Sequence, residues 1–179
     1  RDGDHQELQP FPTQRSSDLN QWKQFETWPP KNVSTKKMYL QDNGKITFDK
    51  SNNSTTFDEY VADPNNPVPY QGGVLENRTR EYMVDDQRFA STRPDVMVYQ
   101  TDILTEDITI TSPVINHLFV SSTGTDADYM VKLIDVYPEN TPKFNDKLMG
   151  GYQNLIRAEI MRGKYRNSFS TPEALVPNK

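Results

Sequence analysis

Apolar residues are concentrated in one stretch of this chain, and that concentration constrains the fold more than any other feature. Between Val96 and Val136, 15 of 41 residues are Leu, Ile, Val or Phe, whereas the other 138 positions hold only 23. Over the whole chain these four types make up 38 of 179 residues, just above the fraction of about 20% below which disorder becomes the default. The sequence therefore predicts one domain of ordinary length whose core comes mainly from residues 96–136.

Within and around this stretch, short apolar or alternating runs predict β-strands. The strongest run is Tyr129–Val136, in which one face is fully apolar and the other is mixed, as in a strand of a β-sandwich. Further strands are predicted at Phe57–Val61, Val96–Tyr99, Ile108–Thr111 and Asn116–Val120. Short strands separated by turns rich in Pro and Gly indicate an all-β sandwich or jelly roll.

Two segments outside this stretch also have recognisable patterns. Met38–Leu40 and Ile46–Phe48 flank an Asn43-Gly44 pair, which suits the positive φ angles of a tight turn and predicts a β-hairpin. The segment Tyr152–Phe169 fits either a strand or a helix, because its apolar residues satisfy helical spacing without excluding an extended conformation.

The first residues look different from the rest of the chain. Residues 1–19 have no helical or alternating pattern, and their run ELQPFPTQRSSDL resembles translated sequencing-adapter DNA. We therefore expect residues 1–19 to be a disordered or artefactual leader, and residues 20–179 to form the β-domain.

The composition argues against several classes of function. The chain has no Cys and only two His, so thiol chemistry, thiolate zinc sites and multi-His metal sites are not expected, and no metal or cofactor is predicted. A net charge of -5 argues against nucleic acid as a partner. No apolar run is long enough to span a membrane and no signal peptide is visible, which leaves the compartment open between cytoplasm and a periplasmic or secreted location.

Three long motifs carry a resemblance to a known family. They are DDQRFASTRPDVMVYQTDILTEDITI, HLFVSSTGTDADYMVKLIDVYPE and MGGYQNLIRAEIMRGKYRNSF, with FETWPP and DPNNPVPY preceding them in matching order. Residues 20–179 thereby resemble the C-terminal domain of the CocE/NonD serine hydrolases, which include X-Pro dipeptidyl-peptidase, cocaine esterase, α-amino acid ester hydrolase and glutaryl acylases.

The resemblance implies a galactose-binding-like jelly roll, incomplete at its C-terminal end, in a fragment of a larger enzyme. It also implies a partner: the α/β-hydrolase domain of the same parent chain, which supplies the Ser-His-Asp triad and acts on small acyl esters, amides or peptides. No triad position and no G-x-S-x-G elbow occurs in this sequence, so the chain itself is expected to be non-catalytic. A sandwich without its last strands is expected to be marginally stable and prone to aggregation.

The resemblance also selects a candidate site. In the family, the loop corresponding to Gly72–Val84 faces the catalytic domain, which makes Leu75, Glu76 and Tyr82 candidates for the rim of the substrate pocket or for an interdomain contact. The alternative is an ordinary surface loop, since this segment is more polar than an apolar pocket wall.

Ordinary structural roles are expected for several other residues. His117 is predicted to be a structural or surface histidine, and Asp126, Asp128 and Asp135 are predicted to be turn and strand residues rather than calcium ligands. The run Asp85–Arg88 is predicted to form a structural ion-pair network, with Arg88 and Arg93 as the basic partners.

A different function stays open at this stage. Trp22 and Trp28 suit sugar stacking in a stand-alone galactose-binding-like carbohydrate-binding module, although buried anchors of the β-domain or contacts with the catalytic domain are the favoured explanation.

Overall fold

A computed structural model of the chain describes residues 24–50, 56–73, 75–77, 79–111 and 113–179. Two antiparallel strand pairs provide most of its regular structure. The predicted leader at residues 1–19 lies outside the described residues.

The first pair is the predicted hairpin. Strand β1 (Tyr39–Gln41) pairs with β2 (Lys45–Thr47) across a 3₁₀ turn at Asp42–Gly44. Within this turn Asn43 and Gly44 have φ angles of 61° and 67°, the positive values that an Asn-Gly pair tolerates. The hairpin prediction is confirmed, and its turn also bonds to Gln100, whose N–H donates to the Gly44 carbonyl at 2.8 Å.

The second pair is longer. Strand β3 (Asp128–Val136) runs antiparallel to β4 (Gln153–Arg162), with a register shift between Leu133 and Ile134. The strand predicted at Tyr129–Val136 is confirmed. Within Tyr152–Phe169 the strand alternative is right for β4, because β3 supplies a full ladder partner that the sequence pattern alone does not reveal.

Short helical turns lie beside this sheet. They are a 3₁₀ turn at Glu81–Met83, helix α1 at Arg88–Ser91 and a 3₁₀ turn at Gly163–Tyr165. The buried apolar residues of the described chain are Ala90 of α1, Tyr152 just before β4, and Leu155 of β4; Gln87 is buried with them. These buried residues therefore lie in or just before α1 and at the start of β4.

The C-terminal residues return to the start of β3. The N–H groups of Leu175 and Asn178 donate to the carbonyls of Thr125 and Ser122 at 2.8 and 2.7 Å. The Arg166 guanidinium donates to the Glu173 carbonyl at 2.7 Å and so ties this segment to the end of β4.

Several predicted strands are absent, which corrects the sequence analysis. Phe57–Val61, Val96–Tyr99, Ile108–Thr111 and Asn116–Val120 take part in no strand of the described residues. Residues 96–136 are likewise not the main source of the core: Ile103 is 94% exposed and Phe119 is fully exposed. The physical reason is that a strand needs a hydrogen-bonded neighbour, and these segments have no ladder partner among the described residues.

Candidate functional site

The three candidate rim residues line one open cleft. Leu75, Glu76 and Tyr82 surround a cavity of about 420 Å³ together with Tyr70 and Asn77. The structure thus brings together residues that the sequence analysis could only assign to one loop.

Tyr70 and Asn77 are the two lining residues that the sequence analysis missed. The Tyr70 ring meets the Tyr82 ring edge to face, with centroids 5.8 Å apart, and the Tyr70 hydroxyl donates to the Asn77 carbonyl at 3.1 Å. Tyr70 ends the motif DPNNPVPY and precedes a Gly pair. An aromatic residue at the entrance to a Gly-containing loop is the signal that could have identified Tyr70.

The chemistry of this cleft is that of a binding wall. Two tyrosine rings and the half-exposed Leu75 side chain provide apolar surface, and Glu76 provides one exposed carboxylate. The lining residues include neither a nucleophile activated by a base nor a His–carboxylate pair. The cleft can therefore pack and orient an organic group, but its side chains do not make a catalytic set.

The loop that carries the cleft is closed at its base. The Gly72 N–H donates to the Asp85 carboxylate at 2.7 Å, so residues on either side of the loop meet. Tyr152 adds a second tie by donating its hydroxyl hydrogen to the Val84 carbonyl. We call residues 72–85 the pocket loop; positions 74 and 78 within it lie outside the described residues.

The predicted ion-pair network at Asp85–Arg88 is present in part. Arg88 Nε donates to the Asp86 carboxylate at 2.7 Å, and the Gln153 N–H donates to the same carboxylate at 3.3 Å. Burial opposes ionisation of Asp86, but the hydrogen bonds from Arg88 and Gln153 outweigh it and lower its pKa. Arg93 was assigned wrongly, because it pairs with Asp95 at 2.7 Å instead.

The remaining candidates have structural roles. His117 is exposed on the surface, as predicted. Asp126 pairs with Lys164 at 3.1 Å and Asp128 with Arg162 at 3.3 Å, so both carboxylates have basic partners rather than a shared cation site. The described residues contain no group of three or more His, Cys, Asp and Glu placed to hold a metal ion.

The tryptophan predictions have a mixed outcome. Trp28 is 61% exposed and its ring lies 6.3 Å from that of Phe25, so it is not a buried anchor of this chain. Trp22 lies outside the described residues. None of the helices that the structure describes combines the length and hydrophobicity needed to cross a lipid bilayer.

Comparison with known proteins identifies a matching family and a similar esterase. Residues 5–179 match the family described as the X-Pro dipeptidyl-peptidase C-terminal non-catalytic domain. The cocaine esterase of Rhodococcus sp. (strain MB1 Bresler) is 33% identical over 129 residues, which is 68% of this chain and 22% of the esterase.

Two solved structures are also similar. An aminopeptidase from a marine sediment archaeon, Thaumarchaeota archaeon, superimposes with a TM-score of 0.75 at 35% identity, over 91% of this chain and 27% of its own. An α-amino acid ester hydrolase superimposes with a TM-score of 0.69 at 38% identity, over 79% of this chain and 24% of its own. This chain thus spans about a quarter of the length of the proteins it resembles, and its fold class is the all-β sandwich of their C-terminal domains.

Proposed function

We propose, from the premise that this chain belongs to the X-Pro dipeptidyl-peptidase C-terminal non-catalytic domain family, that its pocket loop forms part of the wall of an acyl-substrate pocket. The rest of that pocket, with the Ser-His-Asp triad, would come from the α/β-hydrolase domain of the same parent protein. The parent protein would cleave small acyl esters, amides or peptides through an acyl-enzyme. The reported relatives are hydrolases, which favours this function over the stand-alone carbohydrate-binding module.

One observation carries the proposal: Leu75, Glu76 and Tyr82 converge on one cleft. An open cleft with aromatic and aliphatic walls gives shape selectivity to a site whose chemistry is supplied elsewhere. A single missing or added methylene in such a wall is worth roughly 1–3 kcal/mol of discrimination between substrates.

Exposed apolar side chains support a protein partner. Ile103, Ile115 and Phe119 are each at least 74% exposed, a degree of exposure that soluble domains usually avoid over contiguous surface. A catalytic domain that covers these three side chains would remove them from water. The acidic net charge of -5 fits a protein partner better than nucleic acid, and we propose neither nucleic acid nor a membrane as a partner.

The test uses the intact parent protein. We expect Leu75→Ala, Glu76→Gln and Tyr82→Ala to change KM across a series of acyl esters of increasing chain length, with smaller effects on kcat for the best substrate. The matched control is Glu159→Gln, because Glu159 is an exposed carboxylate on β4 that does not line the cleft; it lies 3.5 Å from Arg157 and accepts the Ile160 N–H at 3.3 Å. Unchanged KM values in all three loop variants would refute the pocket-wall role.

A second measurement separates the domain from its parent. The purified 179-residue chain is expected to hydrolyse p-nitrophenyl esters no faster than a heat-treated sample. Hydrolysis above that control would mean that the chain carries catalytic groups of its own.

A further inference from the structure

The pocket loop is joined to the sheet by a buried polar side chain. Gln87 is 1% exposed. Its side-chain amide donates to the Asp85 carbonyl at 2.8 Å, and its own N–H donates to the Gln153 carbonyl at 3.1 Å. Gln87 therefore bonds to the end of the pocket loop and to the first residue of β4.

The remaining polar atom of this side chain is satisfied by a lysine from the sheet. Lys132 Nζ, in the middle of β3, donates to Gln87 Oε1 at 2.7 Å, across 45 positions of sequence. The same ammonium lies 5.2 Å from the centroid of the Phe89 ring in α1. Burial lowers the pKa of Lys132, and the nearby Asp85 carboxylate partly opposes that shift.

The start of the pocket loop meets the same group of residues. Asp85 accepts the Gly72 N–H through its carboxylate while its carbonyl accepts the Gln87 amide. A Cβ placed on Gly72 would lie 3.1 Å from the Asp85 carboxylate and 3.6 Å from the Phe89 ring, so little free space separates the ends of the loop. One continuous hydrogen-bonded path thus runs from Lys132 through Gln87 and Asp85 to Gly72.

We propose that Gln87 and Lys132 form a clasp that positions the pocket loop, and with it the Leu75, Glu76 and Tyr82 side chains, relative to the β3–β4 sheet. Both are positioning residues, since neither lines the cleft. The clasp itself stands on the contacts given above, whereas its effect on substrate selection rests on the proposed function.

The first test measures the loop directly, in the intact parent protein. Lys132→Met keeps the aliphatic stem over Phe89 but leaves Gln87 Oε1 buried without a donor, a costly state for a polar atom. We expect amide hydrogen exchange across residues 72–85 to accelerate about tenfold or more, with little change in the β1–β2 hairpin. The matched control is Lys164→Met, which removes an ammonium paired with Asp126 and 6.0 Å from the Tyr165 ring, away from the loop.

Two results would overturn the clasp. One is unchanged loop exchange in both Lys132→Met and Gln87→Met. The other is equal acceleration everywhere in the chain, which would assign these residues to general stability. Gln87→Met serves as the second variant because it removes the bond to Asp85 as well as the bond to Lys132.

The second test measures substrate selection in the intact parent protein. A purely structural defect lowers the amount of active enzyme and hence the apparent kcat, whereas displacement of the cleft raises KM. We expect Lys132→Met to raise KM several-fold for the ester chain lengths on which Leu75→Ala acts, and to leave kcat within about twofold.

The outcomes separate the two ideas. If Leu75, Glu76 and Tyr82 variants change KM but Lys132→Met does not, the positioning role is wrong and the proposed function stands. If Lys132→Met accelerates loop exchange but no cleft variant changes KM, the clasp stands and the proposed function is wrong.

Discussion

Gly163 occupies a position where the backbone leaves no room for a side chain. It follows the last residue of β4, and its N–H donates to the Ala127 carbonyl at 2.7 Å. A Cβ at this position would lie 2.5 Å from that same oxygen, with Leu175 and Tyr129 atoms at 3.4 and 3.5 Å closing the other sides. We therefore predict that Gly163→Ala forces the two strand ends apart.

The size of the effect follows from three contributions. Stretching the hydrogen bond to Ala127 costs about 1 kcal/mol. Overpacking against a backbone atom costs about 1–3 kcal/mol. Alanine restricts the unfolded chain more than glycine does, which stabilises the folded state by about 0.4–1 kcal/mol. The net loss is about 2 kcal/mol, or roughly 4–8 °C in Tm for a chain of this size.

Gly124→Ala is the control, because it changes the unfolded chain in the same way without the clash. A Cβ on Gly124 would have its nearest neighbours, from Ser122 and Asp126, at 3.7 and 3.8 Å. Urea unfolding followed by far-UV circular dichroism gives both free energies of unfolding, and equal m-values would validate the comparison. If the two variants differ by less than about 0.5 kcal/mol, the close packing between Gly163 and Ala127 is wrong.

Three further predictions concern separate parts of the chain. Burial and a 2.5 Å hydrogen bond to Asp58 raise the pKa of Tyr99 to about 12, so the folded state keeps this proton longer than the unfolded state. The contribution of this pKa shift to the free energy of unfolding is complete below about pH 10 and is lost as pH rises towards 12. Tyr99→Phe should remove this pH dependence of stability, and absorbance at about 295 nm should show one fewer tyrosine that titrates at high pH. Arg93→Gln should lower Tm more than Arg157→Gln, because the Arg93 ion pair is the less exposed of the two; equal shifts in differential scanning calorimetry would contradict this. The exposed Phe119 ring should promote self-association, so Phe119→Ser should reduce anilinonaphthalene sulfonate fluorescence and the light scattering of concentrated samples, and no change in either would contradict it.

Local chemistry was sufficient to predict some elements from the sequence. The β1–β2 hairpin follows from an Asn-Gly pair between two short apolar runs, since both turn residues tolerate positive φ. Strand β3 follows from its alternating pattern. Strand β4 was left undecided because its apolar residues satisfy two periodicities, and pairing with β3 decides between them.

Strands that need a neighbouring strand to pair with were predicted less well from the sequence. Ile108–Thr111 and Asn116–Val120 have the composition of strands, but within the described part of the chain they lack a neighbouring ladder and their apolar side chains are exposed. Composition reports what a segment is able to bury, whereas burial itself requires a surface to cover it.

The candidate site was likewise predicted only in part from the sequence. The resemblance located Leu75, Glu76 and Tyr82 in one loop, but the cleft also needs the Tyr70 ring folded back against Tyr82. The bond between Lys132 and Gln87 joins residues 45 positions apart, which single-sequence patterns do not detect.

The amino-acid sequence by itself determined the all-β class and the family, because these follow from alternating apolar runs and long motifs. Tertiary structure decided where the buried centre lies, which strands pair and how the pocket loop is held. These features depend on contacts between distant segments, in which each buried polar or apolar group must find its partner in space.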